Sequence, residues 1–312
     1  MDERTQDVIF WCISGMIGIV IVTANFVTLL VFLWDSQLRR RFMNIFLASL
    51  SIADLLMGVL IIPGYATFCK VENTSLHTCW FLTGTKDYVF STTSLNMLAI
   101  CYDRYYAVLK PLYYAATINR RRVTCILIFV WVIPAIMTSV RCAWRYCELN
   151  YSKQFLDTVY DNVLLCVVFI IPLVIIITTN ALIIHAIKKQ KKMISSLGNS
   201  PAKIHKQHST KPCDKNNVAT KLTSIPKIPS ARVGANGTRT CISVVSVYVM
   251  AWLPRTVYNL MKLSDEQVSP VLVRMSLLFL FLQSAVDPFI YTYYRRDFSD
   301  AVKKLVRCAI CQ

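Results

Sequence analysis

Residues 98–112 read LAICYDRYYAVLKPL and place a charged pair, Asp103-Arg104, at one end of a long apolar stretch. Tyr105 completes the tripeptide, and most of the flanking side chains are apolar. A charged pair is costly to keep in lipid, so such a pair at the edge of a membrane span indicates a working site at the bilayer boundary. The stretch therefore predicts a membrane-spanning helix with a functional charge pair at one end.

The composition of the whole chain supports a membrane location. Of its 312 residues, 55% are hydrophobic and 16% are charged, whereas about 25% of the residues in a soluble domain are charged. A helix needs about 20 mostly apolar residues to cross a bilayer. Seven stretches meet that length: 8–34, 43–67, 77–109, 123–141, 158–187, 238–262 and 271–293. The sequence predicts an all-α membrane protein, a seven-transmembrane helix bundle.

The distribution of basic residues predicts the orientation of the bundle. With the N-terminus outside, 24 of the 34 Lys and Arg residues fall in the inner segments, and Arg104 adds one more. This asymmetry follows the positive-inside rule. The net charge of +17 thus reports topology and attraction to anionic lipid, not nucleic-acid binding. We expect a multi-pass plasma-membrane protein with an extracellular N-terminus.

Four cysteines and two of the three glycosylation sequons fall in the segments predicted to be outside, whereas the third sequon, at Asn236, falls inside. Asn73 and Asn150 begin sequons in two of these loops, and both are expected to carry glycan. Four outer cysteines, at positions 69, 79, 142 and 147, allow three connectivities that the sequence leaves open. We favour a disulfide between Cys79 and Cys147, which would tie the third span to the loop after the fourth.

The chain divides into a bundle domain, 1–293, and a cytoplasmic tail, 294–312. Within the bundle, residues 190–236 are rich in Lys, Ser, Thr, Asn and Pro and are predicted to form a disordered cytoplasmic loop. In the tail, apolar residues from Phe298 to Val306 recur at helical spacing, so a short amphipathic helix should lie on the inner membrane surface. Cys308 and Cys311 follow and are candidates for palmitoylation.

Polar groups inside the predicted spans carry most of the functional signal, because each is costly to bury and needs a partner. They occur in a defined order along with characteristic Trp and Pro residues: Asn25, Asp54, Asp103-Arg104-Tyr105, Trp131, Pro172, Trp252 with Pro254, and Asp287-Pro288 with Tyr291.

In this order, these residues resemble the signatures of the rhodopsin-like (class A) family of G-protein-coupled receptors, over nearly the whole chain. The resemblance implies a receptor that converts binding of a small extracellular ligand into activation of a heterotrimeric G protein. Arrestin and receptor kinases would be further partners. It also implies that Arg104 meets the G protein when the inner ends of the fifth and sixth spans open, and that repacking of Trp252 couples ligand binding to opening.

The same resemblance implies a hydrated polar cluster that holds sodium in the resting state. Its members would be Asp54, Asn25, Thr93, Ser284 and Asp287. No other cofactor is expected. Pro288 and Tyr291, next along the seventh span, would belong to the switch.

Two departures from the family pattern affect the predicted switch. Asn180 stands where family members commonly carry a Tyr, eight residues after Pro172. In addition, no Asp or Glu occurs between Lys215 and Ser264, although many family members have an acid there that restrains the arginine. We hypothesise that Arg104 is restrained mainly by Asp103 and that basal signalling is appreciable.

The ligand class is less clearly indicated. The helices loosely resemble amine receptors, but Lys86 stands where those receptors place the Asp that binds the ammonium, and Asp87 comes one residue later. Arg255 adds a second cation, and Asn259 and Trp252 complete the candidate pocket. Three alternatives remain: Asp87 is neutralised by Lys86 or Arg255, the ligand is a small anion, or Asp87 binds an amine. A peptide ligand also remains possible.

Other classes of protein fit the sequence less well. No Lys occurs from Pro270 to Tyr294 to carry retinal, which argues against an opsin. Neither HExxH nor GxSxG occurs, so an enzyme is not expected. A channel or transporter is the alternative from a different class, but no internal repeat is apparent, as many transporter folds would show.

Overall fold

The computed structural model describes residues 2–69, 76–146, 153–198, 231–264 and 267–310. Besides two short helices, Ser36–Arg39 and Pro111–Thr117, the chain forms seven long helices and a shorter eighth within these ranges. They are α1 (Glu3–Trp34), α2 (Phe42–Phe68), α3 (Leu76–Leu109), α4 (Arg120–Tyr146), α5 (153–198), α6 (Ala231–Leu263), α7 (Pro270–Tyr294) and α8 (Arg296–Ile310). Each predicted span is found as one of the long helices, so the predicted all-α membrane fold is confirmed.

Five of the long helices, namely α1, α2, α4, α5 and α7, are long and apolar enough to cross a membrane. The other two, α3 and α6, have 34 and 33 residues but carry more polar and charged side chains. Outward-facing side chains such as Phe26, Phe129 and Val174 are exposed and apolar, as expected for helices surrounded by lipid. The charged residues of α3 instead face inward, where Asp87 and Asp103 are buried.

α3 forms the centre of the bundle and packs against α2, α4 and α5. Its buried apolar residues include Val89, Met97 and Ile100. The Trp131 indole of α4 donates a hydrogen bond of 3.0 Å to the Ser49 hydroxyl of α2, so a polar contact joins two helices on the side of α3 away from α6.

α2 and α5 each contain a π-helical turn, at Met57–Ile61 and Leu165–Ile170. Each turn is followed two residues later by a proline, Pro63 or Pro172. Proline has no N–H and its ring crowds the carbonyl four residues earlier, so the helix must widen or bend there. In α5 the carbonyl four residues before Pro172 belongs to Val168, which is thereby free to accept hydrogen bonds from other helices.

α8 is amphipathic, as predicted, and docks under α1. Phe298 and Ala301 are buried against Val31 and Leu38. Asp297, at the start of α8, is held by Arg295 at 2.6 Å and by Arg41 at 3.0 Å. Burial raises the pKa of Asp297, but these two guanidinium groups outweigh burial and leave its pKa below the usual value. The carboxylate therefore stays charged and ties the connection between α1 and α2 to α8.

The helices also reach into the segment 190–236 that we predicted to be disordered. α5 continues to Gly198 and α6 begins at Ala231. Lys and Gln are good helix formers, so residues 188–192 extend α5 beyond its apolar part. Residues 199–230, which hold the rest of the predicted loop, lie outside the described residues.

The disulfide that we favoured is wrong. In the structure Cys79 is bonded to Cys69, with a Cα–Cα distance of 5.1 Å, so it cannot also pair with Cys147. Cys69 ends α2 and Cys79 lies in the first turn of α3, and these helix ends are neighbours in space. Cys147 lies outside the described residues. The sequence spacing could not identify this pair, because it does not show which helix ends meet.

We predict that proteolysis of the non-reduced protein and mass spectrometry will find a linked peptide joining Cys69 and Cys79. The Cys69→Ser variant should release a thiol at Cys79 that reacts with maleimide, because its partner is then missing. A Cys12→Ser variant, which removes a free cysteine of α1, is the matched control and should leave the linked peptide intact. A peptide joining Cys79 to Cys147 in the unmodified protein would contradict this assignment.

Candidate functional site

A cavity opens among α3, α5, α6 and α7 in the half of the bundle that contains the Cys69–Cys79 disulfide. The space inside it that a water-sized sphere can occupy is about 30 Å³. Its walls are mostly apolar with a few polar groups, which is typical of small-molecule sites. The lining residues are Asp87, Phe90, Ser91, Asp161, Leu164, Leu165, Val168, Trp252, Arg255, Asn259 and Leu280.

An ion-pair network crosses four helices beside this cavity. Arg141 of α4 contacts Asp87 of α3 at 2.6 Å and Asp161 of α5 at 3.4 Å. Lys262 of α6 contacts Asp161 at 2.7 Å. Each buried charge therefore has a partner of opposite sign, as a low-dielectric environment requires.

Two further residues complete the network at its ends. Asp157 lies 3.6 Å from Arg141, and Lys86 lies 3.6 Å from Asp87. Lys86 also approaches the Tyr65 ring, at 5.7 Å. With these two, three acids and three bases balance one another.

The structure places four of the five predicted pocket residues at the cavity. Asp87, Trp252, Arg255 and Asn259 line it, whereas Lys86 does not. One residue turns a helix by about 100°, so Lys86 faces α2 and Tyr65 while Asp87 faces the cavity. We considered that Lys86 or Arg255 neutralises Asp87. Lys86 does contact Asp87, whereas no ion pair joins Arg255 to Asp87 among the described residues.

Arg141, Asp161 and Lys262 were missed by sequence reasoning. Each was visible only as a charge near the predicted outer end of a span, where a solvated side chain is the usual interpretation. The sequence feature that could have revealed the network is the occurrence of opposite charges on three different spans. Recognising them as partners requires the relative rotation of the helices, which the periodicity of a single span does not give.

Trp252 forms the floor of the cavity and belongs to an aromatic cluster. Its ring stacks on Phe169 with centroids 5.3 Å apart, and Phe90 and Tyr248 each lie 5.9 Å away. A change in the position of the Trp252 ring must therefore be accommodated by side chains of α3, α5 and α6.

Beneath this cluster a polar junction joins the same three helices. The Val168 carbonyl, freed by Pro172, lies within hydrogen-bond distance of the Ser94 hydroxyl and, at 3.2 Å, of the Tyr248 hydroxyl. Ser94 and Tyr248 lie 2.8 Å apart, so one hydroxyl donates to the other, which in turn donates to the carbonyl. All three groups are buried, so their hydrogen bonds fix the positions of α3, α5 and α6 relative to one another.

A third cluster lies at the middle of the bundle and contains four of the five residues predicted to bind sodium. Asp54 and Asp287 are fully buried, and none of the carboxylate oxygens has a hydrogen-bond partner among the described residues. Asn25 donates to the Ser284 carbonyl at 3.1 Å. Thr93, the fifth predicted residue, is also buried. Two buried carboxylates need positive charge or protons, and the surrounding oxygen atoms are suitable ligands for a hard cation.

At the other end of α3, Arg104 is paired with Asp103 at 2.6 Å. The second oxygen of Asp103 accepts a hydrogen bond of 2.7 Å from the Tyr114 hydroxyl in the helix Pro111–Thr117. Burial and the Asp103 charge raise the pKa of Tyr114, so its proton remains available for this bond. Tyr105 packs its ring against Tyr106.

The remaining switch residues lie on α5 and α7. Asn180 is buried and donates to the Ile176 carbonyl at 2.7 Å, within its own helix, and to the Cys101 sulfur at 3.8 Å. Pro288 is buried in α7 and its carbonyl accepts a hydrogen bond from Thr292. Tyr291 lies in the next turn of α7, and its side chain is outside the described part of the chain.

Of the predicted modification sites, Cys308 is exposed on α8. Asn73, Asn150 and Cys311 fall outside the described ranges. Their modification stays a prediction from the sequence.

Comparison with known proteins identifies relatives of this arrangement. The family model described as 7 transmembrane receptor (rhodopsin family) matches residues 24–291. The octopamine receptor beta-2R of Chilo suppressalis is 26% identical, over 99% of this chain and 83% of the relative. The histamine H2 receptor of Cavia porcellus is 26% identical, over 99% and 82%. The octopamine receptor beta-1R of Drosophila melanogaster is 27% identical, over 94% and 61%.

The junction at Val168 yields a prediction about stability. Tyr248→Phe removes one buried hydroxyl donor, which should cost about 1 kcal/mol and lower the Tm by about 2–4 °C. Thermal unfolding in detergent measures the change. Tyr293→Phe is the matched control, since Tyr293 is 82% exposed, and it should leave the Tm unchanged. Equal Tm values for both variants would show that the junction contributes no stability.

Proposed function

The chain belongs to the rhodopsin family of seven-transmembrane receptors, and from this premise we propose that its outer cavity is the ligand site that controls G-protein activation at Arg104. The observation that carries the proposal is the position of Trp252. Its ring is at once a wall of the cavity and a member of the aromatic cluster above the Val168 junction. A ligand that contacts Trp252 thus acts on the packing of α3, α5 and α6.

The mechanism is a shift between two arrangements of the bundle. A ligand that fits one arrangement better increases its population. Movement of Trp252 displaces Tyr248, which holds the Val168 carbonyl and Ser94. Pro254, two residues after Trp252, interrupts the hydrogen bonding of α6 and allows it to bend. Opening of the inner ends of α5 and α6 then exposes Arg104 to the G protein.

We also propose that basal signalling is appreciable. The ion pair of Arg104 with Asp103 lies within α3, so it does not itself hold α6 in place. The sequence has no acid between Lys215 and Ser264 that α6 could offer to Arg104. Family members commonly carry a Tyr at position 180 that stabilises the open state. Asn180 instead donates a hydrogen bond to its own helix, so stabilisation of the open state is weakened as well.

The central polar cluster is proposed to bind sodium in the closed arrangement. A bound Na⁺ would supply the positive charge that two buried carboxylates lack. Asp54 and Asp287 would provide charged oxygens, and Ser284, Thr93 and Asn25 neutral ones. Because the cluster lies between α1, α2, α3 and α7, occupancy would favour the arrangement in which these helices are closest.

We also propose the partners and the location of the receptor, in more detail than membership of the family establishes. The receptor would reside in the plasma membrane with its N-terminus outside. α8, with Cys308 exposed, would contact anionic inner-leaflet lipid and carry palmitate. Arrestin and receptor kinases would act on the open inner face. The comparisons give no support to a channel or transporter.

Nucleotide exchange on purified G proteins, without added ligand, tests the function. Membranes containing the receptor should exceed empty membranes, and Arg104→Ala should reduce exchange by about tenfold, since conformational coupling of 1–3 kcal/mol corresponds to roughly 5–150-fold. Arg40→Ala, which changes an exposed arginine of the first inner loop, is the control. Exchange equal to that of empty membranes would refute the proposed basal activity.

Replacing sodium by choline at constant ionic strength tests the cation site. Basal exchange of the unmodified receptor should rise in choline, because the closed arrangement loses its cation. The Asp54→Asn variant should respond little to the replacement, because one of the two charged ligands is gone. An unmodified receptor that is equally active in both salts would contradict the sodium site.

A further inference from the structure

We propose that the ligand of the outer cavity is a small carboxylic acid whose carboxylate is held by Arg255 and whose adjacent hydrogen-bond donor is accepted by Asn259. The inference rests on the proposed function, because it names the ligand class of the same cavity. Its four steps concern charge balance, the geometry of Arg255, the unsatisfied amide of Asn259 and the apolar walls.

The first step is the charge balance around the cavity. Asp87, Asp157 and Asp161 each contact a base of the ion-pair network. Arg255 is a further cation that lines the cavity, and it has no carboxylate partner among the described residues. The described surroundings therefore carry one excess positive charge. A ligand that brings a negative group removes this excess, whereas a ligand that brings only a positive group increases it.

The second step is the geometry of Arg255. Its guanidinium carbon lies 4.6 Å from the centre of the Tyr258 ring, a cation–π contact, and its N–H groups make no hydrogen bond to the described residues. The N–H donors of a guanidinium lie in its plane. An edge of donors is thus available for a carboxylate, which matches it with two parallel hydrogen bonds.

The third step is Asn259, four residues after Arg255 and hence on the same face of α6. Asn259 is only 8% exposed and lines the cavity. Its side-chain oxygen has no hydrogen-bond partner within the part of the chain that the structure describes. A buried acceptor without a partner is unfavourable, and a donor placed next to the bound carboxylate would satisfy it. Acids with an amino or hydroxyl group on the carbon beside the carboxylate meet this requirement.

The fourth step is the remaining wall. Phe90, Leu164, Leu165 and Trp252 offer apolar surface opposite these polar groups. The enclosed space of about 30 Å³ restricts the ligand to a small molecule, and the lining side chains must move to admit it. The ligand class is therefore a 2-amino or 2-hydroxy acid with an apolar side group that reaches Trp252.

A simple amine fits the same cavity less well, although octopamine and histamine, which appear in the names of the relatives, are amines. An ammonium would need Asp87 or Asp161 as its counter-charge. Arg141 and Lys262 already occupy these carboxylates at 2.6 and 2.7 Å. Displacing Arg141, itself buried, would leave a guanidinium without its partner inside the bundle.

The test compares matched ligands in the nucleotide-exchange assay. For each of several apolar side groups, a panel contains the 2-amino acid, the 2-hydroxy acid and the amine that lacks the carboxylate. At least one acid should activate the receptor at lower concentration than its matched amine. Arg255→Ala should raise the concentration of that acid needed for activation by about tenfold or more, as expected for loss of charge-assisted hydrogen bonds. Arg255→Lys, which keeps the charge but not the paired donors, should weaken it less.

Two controls separate folding and receptor function from ligand class. Arg4→Ala, at an exposed arginine of α1, should leave the response to the acid unchanged. If ligand-free nucleotide exchange is higher with the unmodified receptor than with the Arg104→Ala variant, the receptor couples to the G protein whatever its ligand. If coupling is present but amines act better than the acids, if no acid acts, or if Arg255→Ala has no effect on an active acid, the carboxylic-acid proposal is overturned.

Discussion

Charges inside this bundle depend on one another, because lipid offers them neither water nor counter-ions. In the half that contains the Cys69–Cys79 disulfide, Arg141 meets this constraint by contacting acids on α3 and α5, and Lys262 extends the network to α6. The network therefore does more than neutralise charge. It determines how four helices are rotated, and hence which side chains are left to face the cavity. Arg255 lines that cavity, whereas Lys86, Arg141 and Lys262 are engaged with acids.

A missing backbone donor has a comparable effect deeper in the bundle. Pro172 leaves the Val168 carbonyl without its usual partner in α5, and side chains from α3 and α6 take its place. The defect in one helix thus becomes the point at which three helices are joined. It lies directly below the aromatic cluster of Trp252, so the contact between the cavity and the half of the bundle that contains Arg104 is short and made of few side chains.

Much of this architecture was predictable from the sequence, and the reason is physical. Span length and apolar composition are local properties, so all seven helices and α8 were found close to their predicted positions. The burial of Asp54 and Asp287 also follows from their place in apolar spans. The Arg141 network, the role of Lys86 outside the cavity and the pairing of Cys79 with Cys69 depend on which faces and ends of different helices meet. No pattern within a single span contains that information.

The disulfide has a consequence for how a ligand reaches the cavity. Because Cys79 is joined to Cys69, ten residues earlier in the chain, the bond fastens α3 to α2 and is not available to fasten the α4–α5 connection to α3. Between α5 and α6, the observed contact is the Asp161–Lys262 ion pair, in which the Lys262 side chain is 37% exposed. Such a partly solvated pair opens and closes rapidly and is screened by salt. Access to the cavity between α5 and α6 would then depend on the lifetime of an ion pair and on the salt concentration.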